Sequence, residues 1–179
     1  MQNDCKTYKN SGYFSKLILD YLDQKSELQT LYNRFPTIEN FKLQIEEKGK
    51  NYAFENRKIL TSVLQLQYKN FELSEATSTN IELLKNSNTF TITTGHQLNL
   101  FTGPLYFIYK IISVINITKE LKTTYPENNF VPIYWMATED HDFEEINFFN
   151  FKEKKIQWKK ESNDSVGNVF TPIEICRRI

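Results

Sequence analysis

Several things are scarce in this chain, and each scarcity narrows its class. Charge of one sign is missing, because 22 basic residues balance 22 acidic ones for a formal net charge of zero. That balance leaves no electrostatic footprint for nucleic acid or for an anionic membrane surface. Cysteine is nearly absent: Cys5 and Cys176 lie near opposite ends, with no CxxC. Two such residues read as free thiols in a reducing cytoplasm, not as a disulfide framework. Long apolar runs are missing too. The longest, 105–117, is broken by Lys110, Ser113 and Asn116 and is too short and polar to span a bilayer. The opening MQNDCKTYKN has no apolar stretch of the signal-peptide kind. No internal repeat or low-complexity linker occurs, and neither the GxxxxGK(S/T) nor the GxGxxG phosphate loop is present.

What is there describes an ordinary globular chain. Its 40% hydrophobic and 25% charged residues are far from a disordered composition. A length of 179 residues corresponds to one domain or slightly more, enough to bury about 70% of the unfolded surface.

The first half is patterned for helices. Phe14, Leu17, Ile18, Tyr21 and Leu22 recur at helical spacing. A shorter helical piece is expected over 27–33, interrupted by Pro36. Thr37 then caps a helix that carries Ile38, Phe41 and Ile45 and ends near Gly49. The next helix is expected over 53–68, burying Ile59, Leu60, Val63 and Leu64 with Gln67 at its edge. Ser78 is the expected cap of a last short helix over 80–85. Tyr8, Tyr13, Arg34 and Arg57 are long enough to reach a substrate, but nothing in their spacing requires it, and packing is the simpler reading.

The second half reads as a β-α-β unit. Residues 89–94 are rich in Thr, Phe and Ile and stop at Gly95, which suits a strand. Gly103-Pro104 suits a helix start, and Leu105, Ile108, Tyr109, Ile112 and Ile115 form one stripe of a helix reaching about 123. Residues 130–137 form the second strand, apolar enough for burial on both faces of a parallel sheet, with Pro132 expected at its entry. NFFNFKEKKIQWKK suggests two short strands around a charged turn at 152–155.

Titratable residues gather at the two strand ends, where ligands bind in open α/β sheets. Gly95-His96-Gln97 leads through Gly103-Pro104 to a helix N-terminus, whose amides and dipole suit phosphate or carboxylate. His96 either donates to a phosphoryl oxygen or satisfies backbone carbonyls in its loop. Lys110, two turns into the helix, reaches back only if its stem follows the surface. Glu139-Asp140-His141-Asp142 ends the second strand, with Glu144 and Glu145 close behind. Such a row can bind Mg²⁺ or a substrate ammonium, shuttle a proton through His141, or simply form a solvated acidic turn. A metal-dependent hydrolase built on His96, His141 and Asp140 is a further option.

TTGHQLNLFTGPLYFIYKIIS at 93–113 and PIYWMATEDHDFEEIN at 132–147 closely resemble the BshC family, the cysteine-adding enzymes of bacillithiol biosynthesis. YKNSGYFSKLILDYL at 8–22 and RFPTIENFKLQIEEK at 34–48 resemble its N-terminal region, so the likeness covers about 8–165. The resemblance implies an α/β, Rossmann-like nucleotide-binding core similar to class I aminoacyl-tRNA synthetases, here partial and preceded by a helical region. It implies a ligase that joins cysteine to the amino group of glucosaminyl-malate, the last step of bacillithiol formation. ATP, with or without Mg²⁺, is the implied activator of the cysteine carboxyl. Thr94, Gly95, His96, Gly103, Pro104 and Lys110 become the nucleotide-side residues, although a second histidine at HxGH spacing is absent. His96, Asp140, His141 and Asp142 become the catalytic candidates, the last three orienting a substrate or serving as base. No protein metal ligand is implied. A coiled coil further along the family's longer chains implies a homodimer.

The expected organisation is a helical region at 1–88, the first part of the core at 89–165, and an atypical tail at 166–179. That tail no longer resembles the family and suggests a truncation. The alternative to the ligase is therefore a non-catalytic remnant that at most binds nucleotide.

Overall fold

The computed structural model describes residues 5–101, 103–161 and 164–170, and the chain packs as two compact units, Met1–Tyr52 and Ala53–Ile179. Cys176 and most of 166–179 lie outside the described residues.

The first unit is helical. Thr7 caps α1 (Tyr8–Ser11) and Ser15 caps α2 (Lys16–Leu22), each side-chain oxygen accepting the amide three residues on. A 3-10 turn covers Ser26–Leu31. Thr37 caps α3 (Ile38–Asn51) as the sequence predicts, accepting from the Asn40 amide at 3.3 Å. Gly49 does not end this helix, which runs on to Asn51. Tyr21 packs against Tyr32 and Phe35, each ring centroid 5.1 Å away. Arg34 and Asn33 both bind the Glu47 carboxylate and hold it below its ordinary pKa. The apolar stripe of α2 forms, but Phe14, Leu17 and Ile18 stay exposed. So few short helices enclose too little volume for a core.

In the second unit α4 (Phe54–Gln67) and α5 (Glu75–Leu83) precede the sheet. The buried side of α4 is Arg57, Leu60, Thr61 and Leu64, whereas Ile59, Val63 and Gln67 are exposed. The inward stripe is thus rotated from the expected one, because Arg57 can be buried. Its guanidinium donates to the carbonyls of Leu84 and Ser87, both at 3.2 Å. Ser74, not Ser78, caps α5, since Ser74 has the extended backbone of a cap and accepts the Thr77 amide. Ser78 already lies inside the helix, its amide bonded to the Ser74 carbonyl.

β1 (Thr89–His96) and β2 (Asn129–Met136) pair in parallel, Thr89 opposite Asn129 and His96 opposite Met136, joined through α6 (Leu105–Thr124). This is an α/β arrangement of Rossmann-like character. Gly95 does not stop β1, because it pairs with Trp135. A Cβ at Gly95 would stand 3.1 Å from the Trp135 Cβ and carbonyl oxygen, so the missing side chain permits the close approach.

Pro132 sits mid-strand opposite Ile92, not at the entry. The amides of Asn129 and Ala137 donate to Asn88 and His96 on the β1 side. By alternation the amide position of residue 132 faces away from β1, on an edge unpaired among the described residues, where proline costs no ladder bond. β2 is buried at Phe130 and Val131 but exposed at Trp135 and Met136, so burial on both faces holds only for its first half.

α6 is apolar on more than one face. Val114, Thr118 and Leu121 are buried, while Leu105, Tyr109, Ile112 and Ile115 of the expected stripe are exposed. A hairpin follows, β3 (Phe148–Phe151) with β4 (Lys154–Gln157), and its turn is only Lys152-Glu153, shorter than the charged 152–155 segment expected.

Candidate active site

The site assembles where the chain leaves β1 and β2. After Met136 it passes through Asp140, whose Oδ1 accepts the amides of His141 at 2.7 Å and Asp142 at 3.2 Å. Asp142 then caps α7 (Phe143–Ile146) by accepting the Glu145 amide. Phe143 and Ile146, three residues apart, turn inward and pack with Trp158 and Val166. The Phe143 and Trp158 rings meet edge-on at 4.9 Å. Leu100, from the loop after β1, packs on the same cluster. A hydrophobic contact therefore ties the loop that follows His96 to the short helix that carries Glu145.

The result is a polar cavity of about 380 Å³ bordered by Gly95, His96, Gln97, Lys110, Asp140 and Glu145, with Tyr106 and Trp135 on its walls. The His96 side chain is 6% exposed. Its Nε2 lies 2.7 Å from the Tyr106 hydroxyl and 3.4 Å from Glu145 Oε1. Its Nδ1 lies 3.1 Å from the Gln97 carbonyl and 3.2 Å from Asn99 Nδ2. Each ring nitrogen thus has a partner whichever one carries the proton. With a proton on both, Gln97 O and Glu145 accept them. Such an imidazole can gain or release a proton without leaving a buried polar atom unpaired.

Burial, and secondarily the Glu145 charge, pushes the Tyr106 hydroxyl above its ordinary pKa, so it stays protonated. Burial likewise raises that of Tyr134, which donates to the His96 carbonyl at 3.2 Å. Lys110 does reach back along the surface, its ammonium donating to Gly95 O at 3.3 Å.

A second, more apolar cavity of about 510 Å³ adjoins the first, sharing Tyr106 and Glu145. Phe101, Gly103, Pro104, Leu105 and Phe149 line it, and the Phe101 and Phe149 rings meet at 4.7 Å. Gly103 has φ +57°, and a Cβ there would fall 2.6 Å from Asn99 Cγ, so only glycine closes this loop over Asn99.

Of the residues singled out in the sequence, Gly95, His96, Lys110 and Asp140 border the polar cavity, and Gly103 and Pro104 border the apolar one. Thr94, His141 and Asp142 border neither: Thr94 pairs with Tyr134 within the sheet, Asp142 is a helix cap, and His141 is exposed with its charge felt by Asp164. The residues not anticipated as site members are Gln97, Asn99, Tyr106, Trp135 and Glu145. Two of them carry a mark in the sequence, Gln97 by its adjacency to His96 and Glu145 by its place just behind the acidic row at 139–142. Among the described residues no three His, Cys, Asp or Glu side chains lie close enough to hold a metal ion, so His96, His141 and Asp140 do not form the centre a hydrolase would need. No helix of the described residues is long and apolar enough to cross a membrane.

A parallel β-α-β unit with polar and titratable residues gathered at its strand carboxyl ends defines a Rossmann-like domain. The family model described as bacillithiol biosynthesis BshC, N-terminal Rossmann-like domain, matches residues 1–179, and the chain belongs to that family. The match extends through the tail expected to fall outside it. Relatives named "Putative cysteine ligase BshC" are 68% identical over 171 residues in Flavobacterium johnsoniae and 60% over 167 in Christiangramia forsetii. One in Bacillus cereus is 36% identical over 142 residues. These alignments take in 96%, 93% and 79% of this chain but 32%, 31% and 26% of the relatives, so the chain spans about a third of their length.

Proposed function

We propose that this chain carries the reacting cavity of a cysteine ligase that joins cysteine to the amino group of glucosaminyl-malate in the last step of bacillithiol formation. The observation that carries the reading is His96 held between Tyr106 and Glu145 at the carboxyl end of β1, in a chain whose relatives bear the cysteine ligase name.

Amide formation needs an uncharged amine, so the site must remove a proton from an ammonium ion. His96 accepts it at Nε2, and the Glu145 carboxylate at 3.4 Å stabilises the imidazolium that results. The Gln97 carbonyl takes the Nδ1 hydrogen and keeps the ring oriented. As the new C–N bond forms, the acyl carbon loses its leaving group, and the second proton the nitrogen gives up departs with that group or to solvent, the first remaining on His96 beside Glu145.

ATP, with or without Mg²⁺, would supply the leaving group on the cysteine carboxyl. The residues fit such a group: Phe101 and Phe149, whose rings touch, line the apolar cavity and offer it an aromatic wall for a purine, beside the N-terminal end of a 20-residue helix. Lys110 stands in the adjoining cavity as a donor. Asp140 orients a substrate at the cavity border. A cytoplasmic location and a homodimer through the family's coiled coil belong to the same proposal.

The test is product formation. Protein isolated from its own cells is incubated with cysteine, glucosaminyl-malate and ATP, and bacillithiol is measured by mass spectrometry. The expected result is bacillithiol, with His96→Ala slowing its formation by about 100-fold or more. Binding of ATP with no bacillithiol would replace this reading by that of a nucleotide-binding remnant.

A further inference from the structure

We propose that Tyr106 is a catalytic proton relay: its hydroxyl takes a hydrogen from the substrate ammonium and passes its own hydrogen to His96 Nε2. The inference rests on the ligase reading and adds a reacting group that the reading leaves without a chemical task.

His96 is poorly placed to meet a substrate directly. Its side chain is 6% exposed, whereas Tyr106 as a whole residue is 46% exposed. The Tyr106 hydroxyl stands 2.7 Å from Nε2, closer than Glu145 Oε1 at 3.4 Å. An unprotonated imidazole nitrogen offers one in-plane acceptor site, and this hydroxyl fills it. A phenol donates one hydrogen while accepting another, which a relay requires. Burial, and after it the Glu145 charge, keeps Tyr106 protonated and ready to donate.

Every atom on the path has a partner before and after the step. Beforehand His96 carries its hydrogen on Nδ1 and donates it to the Gln97 carbonyl at 3.1 Å. Asn99 Nδ2 then donates to that same carbonyl, at 3.0 Å, and leaves the ring free to do so. Nε2 accepts from Tyr106, whose oxygen accepts an ammonium hydrogen. In the step the ammonium N–H bond breaks as a new O–H bond forms, and the old O–H bond breaks as Nε2–H forms. The amine is left neutral, the phenol intact and an imidazolium beside Glu145. The new O–H turns to the Glu145 carboxylate, which is also within its hydrogen-bonding reach, and Nε2–H donates to the phenol oxygen. No heavy atom has to move.

The position suits the task. Tyr106 and Glu145 are the residues shared by the polar and apolar cavities, so the hydroxyl lies where an amine in one meets an acyl group held from the other. The ring is held independently of its hydroxyl, with the His96 ring 5.3 Å and the Lys110 ammonium 5.4 Å from its centroid.

The test is single-turnover formation of bacillithiol in mixtures of H₂O and D₂O, by protein isolated from its own cells and by its Tyr106→Phe variant. Phenylalanine keeps the ring and removes only the oxygen. The wild-type rate should fall along a curve as the D₂O fraction rises, because two hydrogens move together. The Tyr106→Phe rate should be about 100-fold lower and fall along a straight line, with the half-saturating glucosaminyl-malate concentration within about twofold of wild type. A hydroxyl that merely orients His96 would leave the shape of that dependence unchanged. A straight line for the wild type, or Tyr106→Phe at the wild-type rate, overturns the relay and leaves the ligase reading with direct transfer to His96. Tryptophan-fluorescence unfolding reports whether Tyr106→Phe is folded, and if it is not, the wild-type dependence alone decides. No bacillithiol from the wild type sinks the ligase reading and the relay with it.

Discussion

Replacing Arg57 by methionine tests how the helices before the sheet are held. The guanidinium is almost fully buried and donates to Leu84 O and Ser87 O, carbonyls at and just beyond the end of α5. Those groups lack helical partners of their own, and a cation there also opposes the negative end of the helix dipole. A hydrogen bond from a charged donor contributes about 1.5–3 kcal/mol net. Removing a buried charge also relieves its desolvation, which places the sum at the lower end, about 3 kcal/mol for the two bonds. For a chain of this size that lowers Tm by roughly 6–12 °C. Trp135 and Trp158 are the chain's two tryptophans and both belong to the second unit, so fluorescence-monitored thermal and urea unfolding reads that unit alone. Arg57→Lys should fall between, because it keeps the charge but not the fork. A loss below about 1 kcal/mol in Arg57→Met would refute the reasoning, since it would mean that the two carbonyls find water as readily as the guanidinium.

Three further outcomes are expected. Lys152 and Glu153 both have positive φ in the two-residue turn between β3 and β4. The double change Lys152→Asn with Glu153→Gly should therefore stabilise the unit by about 1–2 kcal/mol, measured by urea midpoint. Gly103→Ala meets both a positive φ and the Asn99 side chain. It should destabilise by about 2 kcal/mol and weaken ATP binding by calorimetry, and an unchanged protein would show that the loop has another conformation. Asp20, Glu47, Glu82 and Asp164 all have carboxyls held below their ordinary values of 3.8 and 4.5, chiefly by hydrogen bonds from Lys16, Arg34, Lys85 and Asn168 in turn. A depressed folded pKa stabilises above the unfolded value and loses that contribution as pH falls through the folded one. The urea midpoint should thus drop on acidification below 4.5, and a midpoint constant from about pH 6 to about pH 3 would contradict it.

The β-α-β unit was legible because the sequence switches from a strand run ending at Gly95 to a helical pattern and back to an apolar run at 130–137. Thr37 and the Pro104 helix start were legible for the same local reason. Which face of α4 and α6 turns inward was not. Both helices are apolar on more than one side, and apolarity alone cannot say which side meets a neighbour. Arg57 sets the inward side of α4 through carbonyl partners 27 and 30 residues away, which no local pattern marks. Pro132 was misplaced because its tolerance depends on which strand edge lacks a partner. His96, Lys110 and Asp140 were readable as strand-end and helix-start residues. Glu145 was not, since its place at His96 depends on Phe143 and Ile146 packing with Trp158 and Val166. Val166 belongs to the same cluster at 2% exposure, yet no local periodicity marks it as core.

The central claim is that His96 with Glu145 carries the proton in a ligation that yields bacillithiol. Its most direct test is bacillithiol content, by thiol-labelling mass spectrometry, in cells whose own gene is changed to His96→Ala or Glu145→Gln, with protein abundance measured alongside. The account predicts that bacillithiol falls sharply in both strains, glucosaminyl-malate accumulates, and the protein persists at its normal level. Unchanged bacillithiol with stable variant protein would contradict it.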